Sequence, residues 1–236
     1  SAASDVYKRQ MLTQATALTA HAEGYGTDAT ANYSHAEGYN TLASSTAAHA
    51  EGYSTEAPGL YAHAEGRQTE ASGTGSHAEG QSTIASGELS HAEGYQTYAE
   101  GYGSHAGGFA SSATGLYSRA TGRNAEAAGT ASFATGYGVV ADQDNSMSIG
   151  QFNALQTEGA LFIIGNGADA NMRSNAFEVH SSGNAVIHGD AVVEGTVFAG
   201  PYDVASTLSS LVSTVDSLQS VIAELQTQLE ALTGGE

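Results

Sequence analysis

Apolar residues follow two unlike patterns along this chain. From Thr13 to Gln151 small and polar residues recur every 14 positions, whereas from Val204 to Leu232 large aliphatics recur four and three apart. In the first region histidine falls at 21, 35, 49, 63, 77, 91 and 105 without a slip, and the same ruler then lands on Arg119, Phe133 and Met147. A glycine stands three residues after each of these ten positions, from Gly24 to Gly150. Alanine stands eight residues after nine of them, from Ala29 to Ala141, and Thr27, Thr41, Thr55, Thr69, Thr83 and Thr97 make a further column. Self-similarity at a fixed short period is the mark of a stacked-repeat architecture.

Each unit reads S-H-A-E-G, two turn residues, T-x-A-S-G, and two more. This spacing predicts two short strands per turn, joined at glycine-containing corners. Side chains alternate faces along a strand, so the alanine of S-H-A-E-G points away from His and Glu. Two alanine columns then meet inside a flat, thin coil. Turns stacked ~4.8 Å apart make a rod of roughly 45–50 Å for ten repeats. An alanine core buries little apolar area against an ordering cost of roughly 1–2 kcal/mol per residue, which predicts partner chains.

The second pattern supplies its own argument for partners. Val204, Leu208, Leu211, Val215, Leu218, Ile222, Leu225, Leu229 and Leu232 form a heptad seam over 203–233. Such a seam is buried by winding helices together. β-Branched residues at one core position with Leu at the other lean towards two strands, while uncharged Thr, Val and Gln flanks permit three. Between repeats and seam, residues 159–202 read as a β-rich neck. There Phe177/Val179 and Ala185/Ile187 flank a hairpin turn at 181–184.

Composition narrows the function classes. With no cysteine the chain has neither disulfides nor thiolate metal sites. A formal charge of −19, with six Lys and Arg, argues against a nucleic-acid partner. The chain has no apolar run of about 18 residues, so membrane insertion as a helix is not expected. Residues 1–10, "SAASDVYKRQ", look like the translated end of a sequencing adapter and are set apart from the fold. Projected backwards, the ruler puts Thr13 in the threonine column and Ala15 in the alanine column. The repeats, covering 11–158, are therefore expected to start inside a unit cut short by the adapter.

The columns of His21, His35, His49, His63, His77, His91 and His105 with Glu23, Glu37, Glu51, Glu65, Glu79 and Glu93 admit two readings. Imidazole and carboxylate suit Zn²⁺ and its neighbours. The plainer reading is a buried ladder in which each histidine hydrogen-bonds a glutamate, expected on the next chain, with no metal and no cofactor. Stacked carboxylates ~4.8 Å apart repel by about 3 kcal/mol per pair at an effective dielectric of 20. The ladder reading therefore expects protonated histidines with raised pKa, and stability that falls as pH climbs.

Tyr25, Tyr39, Tyr53, Tyr95, Phe109 and Tyr137 follow the glycines and offer either a glycan-contact stripe or a self-stacking ladder. The threonine column suggests a weaker ice-binding reading. No catalytic residue is expected: the chain lacks a cysteine nucleophile, a G-x-S-x-G elbow and a phosphate-cradling G-x-x-x-x-G-K. His180 and His188 have no obvious triad partner and read as strand-surface residues.

"NSMSIG" at 145–150 and the tandem S-H-A-E-G units resemble the head repeats of trimeric autotransporter adhesins and of similar phage tail-fibre proteins. The resemblance covers about Thr13 to Gln151. It implies an all-β, left-handed parallel β-roll, homotrimeric, with the His and Glu columns facing the trimer axis. A β-rich neck and a parallel trimeric coiled coil would follow, then a tail at 234–236. It further implies an extracellular structural and adhesive protein whose partners are itself and a cell-surface receptor or glycan. A phage tail fibre attaching to a bacterial surface is the first setting, and a bacterial surface adhesin is the alternative. An ice-binding or metal-binding repeat protein ranks below both. The chain departs from the family's usual strand by carrying His and Glu in place of an apolar pair.

Overall fold

The structure, a computed structural model, describes residues 12–155, 158–192, 198–199 and 202–233. The adapter-like residues 1–10 and the tail 234–236 lie outside the described residues. Two compact units divide at Gly189 and Asp190, and each is treated by itself.

The first unit is mostly a parallel β-solenoid of about 11 turns. A complete turn carries one five-residue strand, such as His77–Gln81, and one two-residue strand, such as Ile84–Ala85. The long strands stack in parallel with like residue on like, His63 beside His77 beside His91. The short strands form a second sheet in the same way, Ala71 beside Ala85 beside Ala99. Register holds back to the first described turn, where Ala15 pairs with Ala29.

The two alanine columns meet inside, as the alternation predicted. Ala36, Ala64, Ala92 and Ala120 from the long strands are 0 % exposed, as are Ala29, Ala57, Ala85 and Ala113 from the short ones. Buried serines close the turns from within: Ser76, Ser90 and Ser118 donate their hydroxyls to the carbonyls of Gly73, Gly87 and Gly115 at 2.7–2.8 Å.

Glycine stands at corners as expected, for example Gly73 and Gly87, and has a second job inside the strands. The column from Gly24 to Gly150 lies within the long strands, not at the corners. A Cβ on Gly94, at φ +101°, would lie 2.2 Å from the Gly108 carbonyl oxygen of the next turn. The corners are turned mainly by other residues in the left-handed region, among them Tyr33, Tyr61, Leu89 and Tyr117 on one side and Asn40, Ser54, Gln68 and Gln96 on the other. That conformation costs roughly 1–2 kcal/mol for a residue with a Cβ. At each corner a ladder bond to the preceding turn offsets it, as from Tyr61 N to Thr46 O and from Gln68 N to Tyr53 O.

The threonine column runs inward. Thr27, Thr55, Thr83 and Thr97 are fully buried, and Val139 occupies the same column later in the chain. This removes the surface on which the ice-binding reading rested, since a buried column meets no ice.

Asn153 ends the short-strand sheet in that column. Its side chain accepts from Val140 N at 2.7 Å and donates to Val140 O at 2.9 Å, standing in for the next strand. Arg173 secures the corner by donating to Gly138 O at 2.8 Å. The long-strand sheet continues past the repeats into the β-rich segment that follows. Ala160–Asn166 adds in parallel to Met147–Gln151, and Asn175–His180 and Ala185–Ile187 follow antiparallel. The expected hairpin is present and pairs Phe177 with Ile187 and Val179 with Ala185.

In the second unit Phe198–Ala199 and Tyr202–Asp203 pair antiparallel, and the helix Val204–Thr233 follows. Leu208, Leu211, Val215, Leu218, Ile222, Leu225 and Leu229 are all exposed along it. The side chains of Val204 and Leu232, the outer ends of the predicted seam, lie outside the described residues.

Candidate functional site: the histidine–glutamate ladder

The outer face of the long-strand sheet carries both columns picked out from sequence. His49, His63 and His77 stack with ring centroids 4.6–4.8 Å apart and planes within 9° of parallel. This spacing is the strand separation of a sheet. The imidazoles are stacked by the backbone register itself, needing no other contact to align them.

Within this chain the histidines lie close to glutamates, but almost none of these pairs is a hydrogen bond. His21, His35, His49 and His63 each lie 3.5–3.8 Å from the glutamate of their own strand. His77 and His91 reach instead to the glutamate of the preceding turn, Glu65 at 4.0 Å and Glu79 at 3.7 Å. Only His105 closes a hydrogen bond, Nε2 to Glu93 Oε1 at 3.1 Å. Gly107 explains the exception. It stands where every earlier long strand has a glutamate, and the Glu93 side chain lies in the space a Cβ there would meet.

The charge expectation is overturned where a shift is resolved. His49 titrates below the usual imidazole range, first because burial penalises its charged form and then because His35 adds like charge. Glu51, Glu37 and Glu65 pull the other way without prevailing. His63 is lowered for the same reasons, by burial and then by His49 and His77. Partial burial between stacked imidazoles outweighs the attraction of half-exposed carboxylates.

Next to this ladder runs the aromatic column. Tyr25, Tyr39 and Tyr53 stack at 5.1 and 5.0 Å, and Tyr95 stacks on Phe109 at 5.2 Å. Arg123 joins Phe109 to Tyr137, its guanidinium 5.7 and 4.8 Å from the two ring centroids. Tyr39 is covered on both faces, although all six aromatic residues stay exposed. A sugar stacks on a ring face, and neighbouring rings occupy such faces here. The self-stacking reading fits this geometry better than the glycan stripe does.

A second charged cluster escaped the sequence reading. Glu178, 6 % exposed, accepts from Asn175 Nδ2 at 2.7 Å and meets His180 Nε2 at 2.8 Å and His188 Nε2 at 2.9 Å. His180 and His188 thus share a buried carboxylate partner. Burial pushes Glu178 up, but the hydrogen bonds from Asn175, His180 and His188 outweigh it and hold the carboxyl below its usual range. The signal lay in the hairpin register: Glu178 pairs with Val186, so His180 and His188, each two residues along its strand, fall on the same face.

No family model matches the chain, and a search of curated proteins finds no match either. Among the described residues no helix is long and apolar enough to cross a membrane.

Proposed function

We propose that this chain is a structural and adhesive fibre protein. Three copies would associate through a parallel coiled coil at Val204–Thr233, with left-handed rolls forming the shaft or head. The observation that carries the reading is the helix, whose aliphatic residues from Leu208 to Leu225 stay exposed in one chain. A stripe of this kind is stable in water when other helices cover it. The solenoid supports the same reading from a different side. It is a repetitive scaffold whose outer columns are already stacked on themselves. Attachment to a bacterial surface as part of a phage tail fibre is the setting we favour, and the receptor would be a surface polymer or protein.

Sedimentation equilibrium of the full chain tests the assembly, with three chain masses expected at micromolar concentration. A monomer would overturn the architecture and the function with it. Binding of fluorescently labelled chain to bacterial envelopes, set against animal cells and extracellular matrix, tests the setting. Retention on envelopes supports the tail-fibre reading, and retention only on cells or matrix moves the protein to the surface-adhesin class.

A further inference from the structure

Three successive turns of the ladder differ from the rest. Glu65, His77 and Glu79 bring one ligand atom each to within 4.8 Å of one another, and so do Glu79, His91 and Glu93. Among the described residues these are the only such groups of three. They arise because His77 and His91 reach the carboxylate of the turn below while keeping that of their own strand nearby. The earlier histidines pair only with their own strand, and His105 has no glutamate of its own.

The distances inside these groups suit a shared cation better than a hydrogen bond. His77 Nε2 lies 4.0 Å from Glu65, and His91 Nε2 lies 3.7 Å from Glu79. Two ligand atoms each about 2.0–2.2 Å from one ion stand roughly 3.3 Å apart at the tetrahedral angle, and about 4 Å apart when that angle opens. Hydrogen bonds close below about 3.2 Å. A second observation points the same way. The Nε2 atoms of His77 and His91 are shut off from solvent and have no hydrogen-bond partner, a state shared by His35, His49 and His63, but among the described residues only at His77 and His91 do two carboxylates converge on one such nitrogen. The charge is also one-sided. The nearest arginine in sequence, Arg67, lies instead over the Tyr53 ring, 5.8 Å from its centroid.

We propose that Glu65, His77, Glu79, His91 and Glu93 bind Zn²⁺ or a neighbouring first-row divalent cation at two adjacent positions that share Glu79. One imidazole and two carboxylates make a borderline donor set, which selects Zn²⁺ and its neighbours over Ca²⁺ and Mg²⁺. Three ligands from the chain leave a further place for water. The cation neutralises stacked carboxylates and ties three turns together, so it binds the folded state and raises its melting temperature. The site does not depend on the fibre reading, because all its ligands come from one chain.

Isothermal titration of the metal-free full chain with zinc chloride tests the proposal, with thermal melting in parallel. One or two ions per chain and a raised melting temperature are expected, with calcium chloride giving neither. The double variant His77→Gln/His91→Gln should bind at least tenfold more weakly, and Glu79→Gln, which removes the shared carboxylate, should do the same. Circular dichroism confirms that each variant keeps its sheet; the two act through different ligands, so either one that folds decides the question. His21→Gln/His35→Gln and His180→Gln/His188→Gln should bind as the parent does. No zinc binding, binding that survives in a folded His77/His91 or Glu79 variant, equal loss in either control, or calcium bound as well as zinc would each overturn the assignment.

Discussion

The solenoid and the helix handle apolar surface in opposite ways. In the solenoid the apolar groups are small, and each alanine is covered by the turns above and below and by the facing sheet of the same chain. In the helix they are large, and those from Leu208 to Leu229 are exposed. The thin alanine core, the reason to expect partners for the repeats, is closed within one chain, whereas in the proposed assembly the helix would need partner helices to cover its stripe.

The comparison breaks most easily at the strand glycines. Gly94→Val should cost about 4 kcal/mol, because the new side chain meets the Gly108 carbonyl and must hold a left-handed backbone. Urea denaturation followed by circular dichroism at sheet wavelengths should show the loss in the solenoid, with the helix signal spared. Glu178→Ala should cost about 2–3 kcal/mol in the same measurement, since it removes the buried carboxylate that Asn175 and two histidines share. The depressed Glu178 pKa sets the sign of its own pH effect. Its contribution is present above the usual carboxylate range and disappears as pH falls through the folded value.

On the helix side, Leu218→Ala should cost about 2 kcal/mol per chain if the stripe is packed in an assembly. A change within about 0.5 kcal/mol would mean that the residue is as exposed in solution as it is in one chain. The smallest effect belongs to the ladder. His49 faces His35 and His63 with Glu37, Glu51 and Glu65, and its folded pKa is lowered. Its contribution to stability is therefore complete above the unfolded value of about 6.5 and declines as pH falls below it. The melting temperature should drop between pH 7.5 and 5, and His49→Gln should make that drop shallower. An unaltered pH profile in the variant would remove His49 from the account.

Much of the fold was legible in the sequence because a solenoid translates period directly into register. The 14-residue ruler placed both alanine columns inside, and alternation placed His and Glu outside. The hairpin at 181–184 and the helix followed from equally local patterns. What escaped depended on the corners. Strand alternation cannot be carried through a left-handed residue such as Gln68 or Gln96, so the pattern leaves open which way the threonine column faces, and it lies inside. The ladder partners escaped for another reason. Whether His91 meets Glu93 or Glu79 depends on side-chain torsions that identical repeats do not distinguish.

The like-on-like register also has a consequence for how such a chain changes over generations. Any unit can be removed or copied and the flanking turns still meet glycine to glycine and alanine to alanine. Slippage between repeats during replication would therefore lengthen or shorten the rod by whole turns of ~4.8 Å, leaving the Asn153 stop and the helix untouched. Length becomes a heritable quantity that varies in steps, adjustable without a new contact having to evolve.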